Sequence, residues 1–322
     1  MRTRTATLWG AIIVLITVRC GGDGGGPSAP PADIQAASGD GQQGFVGQAL
    51  AAALRVVVTD TDGDPVRNAS VDWAVTAGGG SVSPQRSSSG ADGVAQTMLT
   101  LGPGAGPNRA TATVGSLPPV TFTALGMTTV VDPSMDTFET GQPPGAVPPD
   151  LIRVSAAPDG INLVVRFEFR FPVVQQTTGG PNLVTGYLDI DTDQNPATGV
   201  QPATDVFRPA GGSTGMGSEF FLAMFDGPYD VVRTTDFMAI GTVVPTFGGN
   251  QFVVAIPLAL LGGDDGRVNL ATVVGTSDEP TDIAPNDGSL GIAFSAAGSA
   301  GRLGPAVRMP RRGAARVWGD LR

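Results

Sequence analysis

Residues 161–171 read Ile-Asn-Leu-Val-Val-Arg-Phe-Glu-Phe-Arg-Phe. In an extended chain Ile161, Leu163, Val165, Phe167, Phe169 and Phe171 fall on one side, with Asn162, Arg166, Glu168 and Arg170 on the other. A helix would bring apolar residues back every three or four positions, so this period of two specifies a half-buried strand of antiparallel habit. Further strand runs are expected downstream at 183–190, 219–225, 229–233, 237–244, 251–256, 268–274 and 290–295. About eight strands joined by long polar loops predict a jelly-roll-like antiparallel β-sandwich over residues 127–300. Upstream, Asp132–Phe138 and Gly141–Pro144 read as the loop leading into that sandwich. Before them lie shorter runs at 54–58, 71–75, 95–101, 110–114 and 120–124, punctuated by Asp60–Pro65, Gly78–Gly80 and Gly102–Gly104. Roughly seven strands with turns every 8–12 residues predict an Ig-like sandwich over 34–126. The fold class is therefore all-β, an Ig-like sandwich followed by a larger one. Trp73 alternates with Asp72 and Ala74 and belongs to the first core, while Asp60, Asp62 and Asp64 read as a hairpin turn.

Composition removes whole chemistries. The 322 residues contain no histidine, all 19 cations are arginine, and one cysteine is present. No Ser-His-Asp or Cys-His site, lysine Schiff base, Walker lysine or His-ligated zinc can be built. With a net charge of −10 the chain is a poor partner for nucleic acid, which needs clustered cations. Glu168 and Glu219 are formally a pair of acids of the kind glycosidases use, but Glu168 sits between Arg166 and Arg170, the setting of a surface ion pair. No enzymatic activity is expected. Residues 301–322 carry six arginines against Asp320 and read as a disordered tail.

Arg2 and Arg4 precede an apolar run from Leu8 to Val18, too short to span a bilayer, and Cys20 follows with Gly21–Gly26 and the Pro-rich 27–31. This arrangement resembles a bacterial lipoprotein precursor, with residues 1–19 as signal peptide and 20–33 as tether. Arg19 and Thr17 depart from the usual lipobox, which has a small residue and Leu there. The resemblance implies that Cys20 is lipidated and the protein anchored to the bacterial envelope, with Gly21 after the cysteine favouring the outer membrane. In the first sandwich, Ser38–Gln42, Val46–Leu50, Val58–Asp60, Gly63–Val66, Gly78–Val82, Asp92–Ala95 and Leu99–Gly102 follow one another in the order of the bacterial Ig-like group 1 family, the module of invasin- and intimin-type adhesins. That resemblance implies a spacer or adhesive module on the cell surface and no catalysis. The expected function is adhesion or envelope structure, with an unknown surface protein or glycan as partner. Glycan binding by the second sandwich is the alternative, for which Tyr187 and Tyr229 would be its only aromatic platforms before Trp318.

One run points to a cation. In Tyr187-Leu188-Asp189-Ile190-Asp191-Thr192-Asp193-Gln194-Asn195, alternation sets Asp189 and Asp191 on one face, and Asp193 and Asn195 continue the spacing into a turn. Three carboxylates and an amide oxygen suit calcium, although solvated acids of a polar turn would give the same pattern. The run is not an EF-hand and must borrow ligands, with Asp150, Asp282 and Asp287 as candidates.

Overall fold

The computed structural model describes residues 29–138, 147–176, 183–209, 211–262 and 266–293. Cys20, residues 21–28 of its tether and the arginine-rich 301–322 lie outside them, and Asp33, expected at the end of the tether, begins the first strand. The first unit contains β1 (Asp33–Ser38), β2 (Gln42–Phe45), β3 (Leu54–Thr59), β4 (Ser70–Ala77), β5 (Ser81–Ser83), β6 (Arg86–Ser88), β7 (Val94–Thr100), β8 (Gly106–Thr113) and β9 (Val120–Val131). A sheet in the order β1-β3-β7-β5 faces β6-β4-β8-β9, the Ig-like sandwich expected. Its core is the set of alternating positions: Leu54, Val56 and Val58 of β3, Val71 and Trp73 of β4, Leu99 of β7, and Phe122 of β9. Trp73 is buried 6.0 Å from the Phe122 ring, and its indole N–H donates to Ser87 Oγ at 2.9 Å. Asp60 closes the predicted turn by accepting from the amides of Asp62 and Asp64, both at 3.0 Å.

The rest of the chain contains β10 (Leu151–Pro158), β11 (Asn162–Phe169), β12 (Val174–Gln175), β13 (Leu183–Asp191), α1 (Ala203–Phe207), β14 (Phe220–Ala223), β15 (Tyr229–Arg233), β16 (Met238–Val243), β17 (Thr246–Gly248), β18 (Gln251–Pro257), β19 (Arg267–Gly275), β20 (Pro280–Ala284) and β21 (Leu290–Ala293). One sheet runs β16-β15-β14-β13-β19-β20, with β21 beside β19 and β12 parallel to β13. The sheet facing it is not separate from the first unit. It runs β17-β18-β11-β10-β9-β8-β4-β6, so β9 belongs to both sandwiches. Residues 120–126 of β9 pair with β8, and residues 128–131 pair with β10. The predicted boundary at 126–127 thus falls inside a hydrogen-bonded strand. Phe45 of β2 lies under the guanidinium of Arg153 at 5.0 Å, and Arg166 donates to Gln43, so side chains also cross between units.

Leu163, Val165, Phe167 and Phe169 of β11 are fully buried, as their spacing requires, whereas Ile161 and Phe171 at the ends are exposed. Phe252 of β18 is the hub of this core. Its ring stacks on Phe167 at 4.5 Å and Phe247 at 4.9 Å and meets Tyr229 edge-on at 6.2 Å. Glu168 pairs with Arg153 on the neighbouring strand at 2.9 Å rather than with Arg166 or Arg170. Directly cross-strand side chains approach more closely than alternate residues of one strand.

Phe252→Ala should cost about 3–5 kcal/mol by opening a cavity at this hub. Because β9 is shared, loss in the second core should be felt in the first. In a Trp9→Phe/Trp318→Phe background, urea transitions followed by Trp73 fluorescence and by far-UV circular dichroism should shift together. A Trp73 transition that stayed in place would show the units to be uncoupled.

Candidate metal centre

The predicted cation run is the end of β13 and the turn after it. Leu188 and Ile190 point into the main core, and Asp189 and Asp191 lie on the opposite face, as alternation demands. That opposite face is buried too. Tyr187 packs there against Phe225 at 5.1 Å, Phe221 at 5.5 Å and Phe207 of α1 at 6.5 Å.

Asp189 is spent on this cover. Its carboxylate accepts from the amides of Ala203 and Thr204 at 2.9 and 2.8 Å and from the Thr204 hydroxyl at 2.6 Å, fixing the first turn of α1 to the sheet. Burial pushes Asp189 up to about 6 against these hydrogen bonds, with the nearby Asp205 charge adding to the rise. The side chain is a structural acceptor and stands apart from the other acids of the run.

Asp191 and Asp193 come together with Glu219, their ligand oxygens within 4.8 Å of one another. Two features place Glu219 there. The β13–β14 pairing sets Ile190 opposite Phe220, so Glu219 falls one step beyond, across from Asp191. Val200 and Ser218 then exchange backbone hydrogen bonds at 3.0 and 2.9 Å. The turn at Gly199 makes this closure with a φ of +68°, where a Cβ would stand 2.3 Å from the Ser218 oxygen, so only glycine fits.

The lone pairs of the two aspartates are largely used. Asp191 accepts from the amides of Asp193 and Gln194 at 3.2 and 2.7 Å and from Asn269 Nδ2 at 3.1 Å. Asp193 accepts from the Asn195 amide and the Thr198 hydroxyl, both at 2.9 Å, and Asn195 Oδ1 accepts from the Ala197 amide at 3.1 Å. Glu219 accepts from the Thr192 amide at 2.9 Å, and burial raises its carboxyl above the usual range. These bonds hold the backbone of the turn.

Of the ligands the run might borrow, Asp287 instead accepts from the Ser213 amide at 3.0 Å, and Asp150 and Asp282 belong to another group of acids. Sequence reading considered Glu219 only as a hydrolytic acid. Glu168 lies on the shared sheet in its ion pair and Glu219 on the facing sheet beside two aspartates, so neither has the other as neighbour on its strand. Tyr187 and Tyr229 are both buried core residues, so neither is a surface platform for a sugar ring.

Fold and site define an all-β protein of two sandwiches joined through one sheet, with acids serving as backbone acceptors. No protein-family model matches the chain, and no curated protein matches it. Among solved structures it is similar to the D0–D1 domain of intimin, with a TM-score of 0.26 and 11% identity over 82% of this chain and 99% of that one. It is also similar to a C-terminal intimin fragment solved with the intimin-binding domain of the translocated intimin receptor, with a TM-score of 0.27 and 14% identity over 83% of this chain and 65% of that one. A third is the Yersinia pseudotuberculosis adhesin InvE, with a TM-score of 0.24 and 13% identity over 84% of this chain and 61% of that one.

Asp189→Ala should strand two backbone amides and cost about 3 kcal/mol. The substitution should also change the pH dependence. Because folding raises this carboxyl, the unfolded chain loses its proton first as pH climbs from about 4. The Asp189 contribution therefore falls through the window up to about 6. In the variant, stability from urea unfolding should decline less steeply across that window, by up to about 1.4 kcal/mol per pH unit. An unchanged slope would refute the assignment.

Proposed function

We propose that the chain is a non-catalytic protein of the bacterial cell envelope, lipid-anchored at Cys20, in which the Ig-like unit holds the second sandwich away from the membrane for adhesion or envelope-structural contact. The observation that carries this reading is the shared strand β9. A spacer must transmit position, and a continuous ladder of backbone hydrogen bonds from β6 to β17 resists bending at the junction far better than a linker would. The ordered group 1 motifs between Ser38 and Gly102 support a surface module. The apolar leader, the single cysteine and the Gly-rich stretch after it support an anchor. The acids described above serve as acceptors in turns, caps and ion pairs, which supports a structural use of charge.

The glycan-binding alternative would need a different surface. Among the described residues Trp73, Tyr187 and Tyr229 are all buried, so recognition would have to proceed without a Trp or Tyr platform.

Cys20→Ser should move the protein from the membrane fraction to the soluble fraction while leaving its circular dichroism unchanged, since Cys20 is the only residue able to carry a thioether-linked lipid. Retention of the variant in the membrane fraction would reject the anchor. A glycan array probed with the full chain addresses the partner: saturable binding to a sugar would replace the spacer reading with the alternative.

A further inference from the structure

We propose that Asp132, Asp136 and Asp282, with Asp150 beside them, form a calcium site that ties the end of β9 to the facing sheet. The residues come from three separate segments. Asp132 directly follows β9, Asp136 lies in the loop after it, Asp150 precedes β10, and Asp282 sits in β20 of the opposite sheet. Ligand oxygens of Asp132, Asp136 and Asp282 lie within 4.8 Å of one another.

Asp132 separates this group from an ordinary acidic patch. It is 3% exposed, and neither of its carboxylate oxygens receives a hydrogen bond. Burying such a group without a partner costs several kcal/mol. Asp136 Oδ1 and Asp150 Oδ1 are likewise buried without a donor. The other oxygens are held from behind. The Leu151 and Ile283 amides donate to Asp282 at 2.6 and 2.8 Å, the Met135 amide to Asp150 at 3.0 Å, and Asn286 Nδ2 to Asp136 at 2.6 Å. One oxygen of Asp136, one of Asp150 and both of Asp132 are thus left for something else. The one cation in the group is Arg170, whose guanidinium stands 3.8 Å from Asp150 and is drawn over the Phe171 ring.

The donor set names the ligand class. All-oxygen, carboxylate-rich ligands suit a hard cation. Two oxygens on one ion can stand no further apart than twice its bond length, roughly 4.6–5.2 Å for calcium and about 4.0–4.2 Å for magnesium. Oxygens that all lie within 4.8 Å of one another are inside the reach of one calcium ion. Burial, then the neighbouring carboxylates, pushes Asp132 up to about 8 and Asp282 up to about 9.

The test uses the purified full chain. Stripped with chelator and titrated with calcium, it should gain about 5–10 °C in Tm at a hundredfold excess over Kd, with less gain from magnesium. Asp132→Asn should leave the stripped protein folded and should abolish the calcium shift. Asp136→Asn, half-buried and peripheral to the core, should weaken it. Asp191→Asn/Asp193→Asn should leave it intact. No calcium shift in the native chain at about 5 mM would overturn the site. So would a shift that survives Asp132→Asn and vanishes in Asp191→Asn/Asp193→Asn.

Discussion

Strand β9 is the constraint on which the remaining structure depends. Its backbone groups are satisfied by β8 over residues 120–126 and by β10 over residues 128–131. A buried N–H or C=O left unmade costs more than most side-chain contacts contribute, so the ladder fixes both neighbours at once. The second sandwich must begin where the first ends, with no slack between them. Met127, in the middle of the strand, is already part of the second core, while Phe122, five residues earlier, belongs to the first.

This explains which parts of the fold sequence could carry. The β11 alternation was readable because a strand buried on one face writes its burial in a period of two. The ordered turns and alternations of the first unit were readable for the same reason. The boundary was not. Val120–Val131 is one continuous strand although Ala124 and Gly126 lie within it, and nothing in Leu125-Gly126-Met127 records that its partner changes. Strand β10 was missed because Leu-Ile-Arg-Val-Ser-Ala-Ala-Pro is short of large apolar residues, although the second half of it is fully buried. Its small side chains face crowded neighbours, a property of the partner rather than of the strand.

The candidate cation run shows a similar limit. Alternation correctly separated Leu188 and Ile190 from Asp189 and Asp191. It implied that the acidic face meets water. In fact α1 and the aromatic residues around Tyr187 cover that face, and they come from later in the chain. Asp189, a calcium candidate by its spacing, receives the amides of α1. Glu219 would have been legible had the β13–β14 hairpin been paired residue by residue. Asp132 and Asp282 could not have been matched that way, since 150 residues separate them in sequence and they belong to different sheets.

The two acidic groups finally differ in what the protein supplies, not in how many carboxylates each contains. Asp191 and Asp193 sit in a turn whose own amides and hydroxyls supply donors, so the local chain satisfies them as it folds. Asp132 lies at the end of a strand, and its backbone amide is already committed to the Ile152 oxygen. The next residue, Pro133, has no N–H to offer. Met135 donates its amide to Asp150 and Phe138 donates to Thr281, so these two amides of the loop are turned elsewhere. With neither lysine nor histidine in the chain, arginine is the only cationic side chain available, and Arg170 is held at Asp150 on the edge of the group. A buried carboxylate in that position can be neutralised by a proton or by an ion from outside. Only the ion also joins the two sheets, because it draws oxygens from β20 and from the ends of β9 and β10 toward one point.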